Sequence, residues 1–202
     1  MARRILGLTG PPGAGKTTYA GRLVAEAGVP AAYLPMDGFH LADVALRRLG
    51  LLDRKGAPET FDAWGYAALL ARVRTADETV WAPGFERDLE QPLAGAIAIE
   101  PAAELVVTEG NYLLLDRPEW RAVRAELDEV WFLDVPDAVR RPRLVARHAA
   151  YGKTPAEAEA WVSRVDDANA SLVLAARSRA DRWVDPDDAD ASQRPGLRDH
   201  RP

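Results

Sequence analysis

The chain has 202 residues, no cysteine and a formal net charge of −5, and 48% of its residues are hydrophobic. This composition suits one globular domain with a buried core, and it excludes disulfides, thiolate metal sites and a cysteine nucleophile. The acidic balance provides no general basic field for a nucleic acid, and no apolar run approaches the length of a membrane span or a secretory signal. We therefore expect a cytoplasmic protein that has neither a nucleic acid nor a membrane as its partner.

Short apolar runs alternate with helical patterns along the chain. Strands are predicted at 4–9, 31–35, 79–83, 94–99, 105–108, 129–135 and 181–184, the third and fourth forming an antiparallel pair. Helices are predicted at 17–27, 42–49, 63–76 (capped by Asp62), 118–127, 136–150 and across most of 154–179. The alternation predicts an α/β fold with a mainly parallel sheet covered by helices on both faces. In such sheets, binding sites lie outside the carboxyl ends of the strands.

The first predicted strand and helix are joined by GPPGAGKT, residues 10–17. It matches the G-x-x-x-x-G-K-[ST] pattern, in which glycines let backbone N–H groups converge on phosphate oxygens. Lys16 is expected to reach the β- and γ-phosphates, and the Thr17 hydroxyl to bind Mg²⁺. The alternative is a glycine-rich turn that matches by chance, but the strand before it and the helix after it favour a phosphate loop. The predicted nucleotide-binding residues are Gly10, Pro11, Pro12, Gly13, Ala14, Gly15, Lys16, Thr17 and Thr18.

A phosphate loop also needs an acidic residue at the end of a neighbouring strand, to hold Mg²⁺ or its waters. Glu109 follows the apolar run at 105–108 and is the first candidate. Asp134 ends the run VWFLD and is the rival, although a residue just before a helix also suits a cap.

The phosphate loop alone leaves the class of protein open. A GTP-dependent switch normally carries Asn-Lys-x-Asp and a transporter ATPase carries Ser-Gly-Gly, and neither occurs here. A kinase needs a carboxylate near the acceptor hydroxyl and a cationic lid over the phosphates. The stretch RRPRLVARHAAYGK, within a predicted lid at about 140–155, places Arg143 and Arg147 on one helical face, with Arg140 near it. The alternative is a solvated basic face, and His148 is expected to belong to the lid or its packing.

Five segments resemble, in order, the phosphoribulokinase, uridine kinase and bacterial pantothenate kinase family. They are the phosphate loop, MDGFH (36–40), KGAPETFD (55–62), PGFERDLEQP (83–92) and VVTEGNYLLL (106–115). The combination is most similar to the subgroup of nucleoside kinase-like or fructose-transport-associated kinases. The chain lacks the long extra segments of pantothenate kinases. It also has His40 where uridine kinases usually have an aromatic side chain.

The resemblance implies a P-loop NTPase three-layer sandwich with a helical lid, and an acceptor-side insert at about 38–100. It also implies ATP- and Mg²⁺-dependent transfer of the γ-phosphoryl group to an alcohol of a small sugar-like or nucleoside-like molecule. Asp37 would serve as the base or orient the hydroxyl, and Lys16, Arg143 and Arg147 would act on the phosphates. Acceptor-binding residues would be Asp37, Phe39, His40, Lys55, Asp62 and Arg87.

Two other functions remain open at this point. One is a pantothenate kinase-like activity, and the other is a nucleotide-dependent regulatory protein that hydrolyses ATP slowly. Residues 1–185 are expected to form the kinase domain as a monomer or homodimer, and residues 186–202, poor in apolar side chains, to be a flexible tail.

Overall fold

The structure, a computed structural model, describes residues 3–185, so the predicted tail lies outside the described residues. Its central sheet has five parallel strands: β1 (Arg4–Thr9), β2 (Ala31–Pro35), β5 (Leu105–Glu109), β6 (Glu129–Leu133) and β7 (Arg182–Val184). Their order across the sheet is β2-β5-β1-β6-β7. A separate antiparallel hairpin consists of β3 (Val80–Glu86) and β4 (Gln91–Ile99). The predicted α/β fold with a mainly parallel sheet is confirmed.

Seven helices connect and cover these strands within the described residues. They are α1 (Lys16–Ala25), α2 (Asp43–Leu49), α3 (Ala63–Thr75), α4 (Pro118–Ala125), α5 (Asp137–Ala150), α6 (Pro155–Trp161) and α7 (Asp167–Ala175). A π-helical turn (Val162–Asp166) joins the last two, and short 3-10 turns lie at Met36–Phe39, Leu52–Arg54, Pro58–Thr60 and Arg177–Arg179. No helix within residues 3–185 combines the length and the apolar character needed to cross a membrane.

Local signals explain where several helices begin. The Asp62 carboxylate accepts a hydrogen bond from the backbone N–H of Gly65, which confirms it as the cap of α3. Thr154 and Glu157 form a capping box at the start of α6, with Pro155 in its first turn.

Two apolar cores lie on opposite faces of the sheet, because successive strand residues point to opposite sides. Val106 belongs to one core together with Trp120, whereas its neighbour Val107 belongs to the other together with Tyr19. The three-layer arrangement therefore follows from short strands whose residues are apolar on both faces.

The hairpin is longer than predicted, because β3 continues to Glu86 and β4 begins at Gln91. Only residues 87–90 connect them, and Glu90 adopts a left-handed conformation with φ 52°. The register shifts between Ala82 and Gly84. This irregularity allows the hairpin to bend against the 3-10 turn that follows β2.

Position 38, in that 3-10 turn, needs a glycine because a side chain would not fit there, and not because of an unusual backbone angle. The φ angle of Gly38 is not positive, but a β-carbon there would lie 2.2 Å from the carbonyl oxygen of Pro83 in β3. The glycine lets the turn that carries Asp37 touch the hairpin backbone.

We expect Gly38→Ala to destabilise the protein by about 1–3 kcal/mol, because the added methyl group must push the hairpin away. Gly21→Ala is the matched control, since Gly21 lies within α1 with nothing within 4 Å of an added β-carbon. Alanine there should stabilise the helix by about 0.5–1 kcal/mol. Urea denaturation measures both changes, and equal stability of the two variants would contradict the close contact.

Candidate active site

A cavity of about 850 Å³ opens beyond the carboxyl ends of β1, β2 and β5. Its walls come from the phosphate loop, the turn after β2, the hairpin and the helices from α5 to α7. Six of the predicted nucleotide-binding residues line it: Pro12, Gly13, Gly15, Lys16, Thr17 and Thr18. Ala14 is buried in the core, and the backbone carbonyls of Gly10 and Pro11 accept hydrogen bonds from Lys16.

The phosphate loop turns into α1 at Gly15, which has a left-handed conformation with φ 81° and ψ 19°. The ammonium of Lys16 lies folded against the loop and donates hydrogen bonds to the carbonyls of Gly10 (3.0 Å) and Pro11 (3.2 Å). Burial lowers the pKa of Lys16 to about 8, and the charges of Glu109 and Asp37 oppose this shift. The loop therefore holds its lysine beside the helix N-terminus, as phosphate binding requires.

Glu109 lies at the end of β5 and accepts two hydrogen bonds on one oxygen. Thr17 Oγ1 donates at 3.1 Å and the Tyr33 hydroxyl at 2.8 Å. Burial raises the pKa of the Glu109 carboxyl, and the nearby charge of Asp37 adds to this effect. Tyr33 was not foreseen, because a tyrosine in an apolar strand carries no sequence signal for this contact.

These oxygen atoms suit a magnesium ion that is shared with a nucleotide. The part of the chain that the structure describes contains no cluster of three or more His, Cys, Asp or Glu side chains that could hold a metal alone. Mg²⁺ instead commonly uses one or two carboxylates together with substrate phosphates. Thr17 and Glu109 fit this role, whereas Asp134 is exposed and does not line the cavity.

Another part of the cavity wall comprises Asp37, His40, Lys55, Phe61, Phe85 and Arg87, and it is called the acceptor end after the role proposed for it below. The two carboxylate oxygens of Asp37 face different neighbours: Arg87 Nη2 at 3.7 Å and His40 Nε2 at 4.0 Å. The His40 ring packs against Phe61 and Phe85, with centroid distances of 4.0 and 5.1 Å. Burial lowers the pKa of His40 to about 4, so the ring is neutral at pH 7.

Two predicted acceptor-binding residues lie elsewhere, and those predictions are corrected. Phe39 is buried in the core against Tyr66, with a centroid distance of 4.6 Å, because its side chain points away from the cavity. Asp62 does not line the cavity, since its carboxylate is committed to the cap of α3.

The lid arginines divide into two kinds. Arg143 and Arg147 line the cavity as predicted, and Arg143 Nη1 approaches the phosphate loop at Gly15. Arg140 is 2% exposed and pairs with Asp137 at 2.6 Å and Asp167 at 2.9 Å. Helical spacing leaves all three arginines on one side of α5, so the ion pairs with Asp137 and Asp167 set Arg140 apart from the other two. Arg140 therefore fastens α5 to α7.

Sequence reasoning missed the far side of the lid, around the π-helical turn. His148 Nε2 lies 2.8 Å from a carboxylate oxygen of Asp166, in keeping with a packing role in the lid. The ammonium of Lys153 lies 4.9 Å from the ring centroid of Trp161. Asp166, His148, Lys153 and Trp161 all line the cavity. No local pattern announces these contacts, although π-helical turns frequently occur at functional sites.

The chain is similar to known proteins over most of its length. No protein-family model matches the chain. An Aspergillus versicolor protein named as ATP-dependent kinase-like is 36% identical over 149 residues, covering 69% of this chain and 87% of that protein. A Schizosaccharomyces pombe protein described as a candidate uridine kinase is 33% identical over 175 residues, covering 81% of this chain and 74% of that protein.

A solved structure is also similar along most of its length. It is described as a candidate fructose transport system kinase from Silicibacter sp. TM1040, with a TM-score of 0.84 and 41% identity, covering 91% of this chain and 90% of that one. With a phosphate loop, a carboxylate beyond the second strand and arginines on a helical lid, the chain belongs to the uridine kinase-like family of P-loop kinases.

Proposed function

We propose that this protein is an ATP- and Mg²⁺-dependent kinase that transfers the γ-phosphoryl group to an alcohol of a sugar-like or nucleoside-like metabolite. The observation that carries the proposal is that one cavity joins the phosphate loop, the Asp37 carboxylate and the lid arginines. A protein that only binds a nucleotide and has no acceptor would not need the acceptor end of the cavity around Asp37. The descriptions of the Schizosaccharomyces and Silicibacter relatives support sugar-like or nucleoside-like acceptors.

The phosphate loop and lid would stabilise the charge that spreads over the phosphate oxygens during transfer. Lys16 would exchange its bonds to the carbonyls of Gly10 and Pro11 for bonds to the β- and γ-phosphates. Arg143 and Arg147 would approach the transferring group from the lid. Thr17 and Glu109 would hold Mg²⁺, which neutralises part of the phosphate charge when bound.

Asp37 is the group in the acceptor end that can take the proton of the attacking hydroxyl. Its side chain is 36% exposed and lies in the cavity, whereas that of His40 is 10% exposed. The Nδ1 atom of His40 is buried without a hydrogen-bond partner among the described residues, and Nε2 faces Asp37. The neutral His40 ring is thus the less exposed of the two groups, and Arg87 can guide the Asp37 carboxylate from its other side.

The test of this role is Asp37→Asn, assayed as ADP formation with ATP, Mg²⁺ and pools of sugars, nucleosides and pantothenate. We expect the acceptor-stimulated kcat to fall about 10²–10⁴-fold, because the general base is lost while nucleotide binding persists. Asp62→Asn is the control, since asparagine also caps helices and residue 62 lies outside the cavity. Near-normal turnover of Asp37→Asn would exclude the base role, and no stimulation of the wild type would favour a slow ATP hydrolase.

The magnesium role predicts that Glu109→Gln raises the Mg²⁺ concentration for half-maximal activity about tenfold or more, because a carboxylate that orients the metal shell is lost. Asp134→Asn, the variant of the rival acid, should leave this concentration unchanged. Magnesium titrations of ADP binding and of turnover measure the effect. If Asp134→Asn raised this Mg²⁺ concentration and Glu109→Gln did not, Asp134 would be the acidic residue of the magnesium site.

The lowered pKa of His40 predicts that the stability of the protein depends on pH. Its pKa lies at about 4 in the folded protein and at 6.5 ordinarily, so only the unfolded chain binds a proton between these values. The contribution of the neutral His40 ring to the free energy of unfolding is therefore fully present above pH 6.5. It is lost as the pH falls towards 4, by roughly 3 kcal/mol in total. The difference in unfolding free energy between wild type and His40→Phe should show this loss in denaturant titrations at pH 7 and 4.5. His148→Gln is the control, and this variant should lose stability between pH 7 and 4.5 as the wild type does. A difference between wild type and His40→Phe that does not change with pH would show that His40 is not the source of the loss.

A further inference from the structure

Lys55 is held at a junction of three segments that close the acceptor end. Its ammonium donates hydrogen bonds to Asp43 Oδ1 at 2.8 Å and to the backbone carbonyl of Glu90. Asp43 is the first residue of α2, and Glu90 lies in the connection of the hairpin. The Lys55 side chain is only 16% exposed. Lys55 thus ties α2 and the hairpin together at the cavity wall.

Asp43 is itself fixed in place. Its backbone N–H donates to Gln91 Oε1 at 3.1 Å, and Arg47 lies 3.8 Å from its second carboxylate oxygen. Hydrogen bonds from Lys55 and then from Gln91 hold the pKa of the Asp43 carboxyl below its ordinary value. The carboxylate therefore stays ionised at neutral pH, and it neutralises the charge of Lys55.

The acceptor end consequently has no surplus of positive charge. Arg87, its other cation, faces the Asp37 carboxylate at 3.7 Å. His40 is neutral at pH 7, and the acidic side chains of Asp88 and Glu90 also line the cavity. The remaining cations that line the cavity, Lys16, Arg143, Arg147 and Lys153, belong to the phosphate loop and the lid.

We propose that the pairing of Asp43 with Lys55 makes the acceptor end selective for an uncharged hydroxyl compound over a phosphorylated or carboxylated one. Asp43 is in this view a specificity-determining residue, although it does not line the cavity. An anionic acceptor would have to displace Asp43 from Lys55, or lie unpaired beside Asp37. The inference rests on the proposed function and narrows its acceptor class.

The test compares pairs of acceptors with and without an anionic group, with the full chain, ATP and Mg²⁺. Suitable pairs are fructose and fructose 6-phosphate, ribose and ribose 5-phosphate, and panthenol and pantothenate, with nucleosides as further uncharged acceptors. We expect uncharged compounds to be phosphorylated with a kcat/KM about tenfold or more above that of their anionic counterparts. An anionic acceptor that is used as well as or better than its counterpart overturns the inference but leaves the kinase function standing. If no compound is phosphorylated, the proposed function fails and this inference fails with it.

The role of Asp43 is tested by Asp43→Asn, which retains a hydrogen-bond acceptor for Lys55 but removes the negative charge. We expect the ratio of kcat/KM for uncharged over anionic acceptors to fall about tenfold, because Lys55 becomes available to an anion. Asp53→Asn is the matched control, since Asp53 is exposed in the neighbouring turn and does not line the cavity. An unchanged ratio in a folded Asp43→Asn protein excludes Asp43 as the determinant. Should that variant not fold, the matched acceptors on the wild type still decide the acceptor class.

Discussion

The register of three neighbouring parallel strands is the constraint on which the rest of the site depends. Glu109 of β5 lies opposite Leu8 of β1 on one side and Pro35 of β2 on the other. The phosphate loop and the turn with Asp37 therefore begin at the same level of the sheet as the Glu109 carboxylate. Because Asp37 and Lys16 act in opposite directions on the pKa of Glu109, the three side chains share one electrostatic environment.

Close backbone contacts then fix the parts that the sheet does not hold. Gly38 allows the turn after β2 to touch the carbonyl of Pro83, and Gly110 leaves space for Met36 at the base of that turn. The turn, the end of β5 and the hairpin thus pack as one unit. Since Asp37 and Arg87 lie on two parts of this unit, their separation is set by backbone packing as well as by their mutual attraction.

Local chemistry explains which features were predictable from the sequence. The phosphate loop and the cap at Asp62 depend on residues only a few positions apart, and Glu109 follows from its place at the end of an apolar run. The sequence did not indicate the positions of the Phe39 and Arg140 side chains, because these depend on distant partners, the core at Tyr66 and the Asp167 carboxylate. The contacts of Tyr33 and Trp161 required the folded chain for the same reason.

Arg140 shows how a residue outside the cavity can matter for the site. The backbone carbonyl of Arg140 would lie 2.7 Å from a β-carbon at position 13, so Gly13 is the residue that lets α5 approach the phosphate loop. The Arg140 side chain meanwhile ties the same turn of α5 to Asp167 in α7. The first part of α5 is thereby fixed to both the loop and α7. Helix geometry then sets the place of Arg143, about one turn further along, on the cavity wall. The ion pair of Arg140 with Asp167 and the close approach at Gly13 therefore fix together the turn of α5 that precedes Arg143.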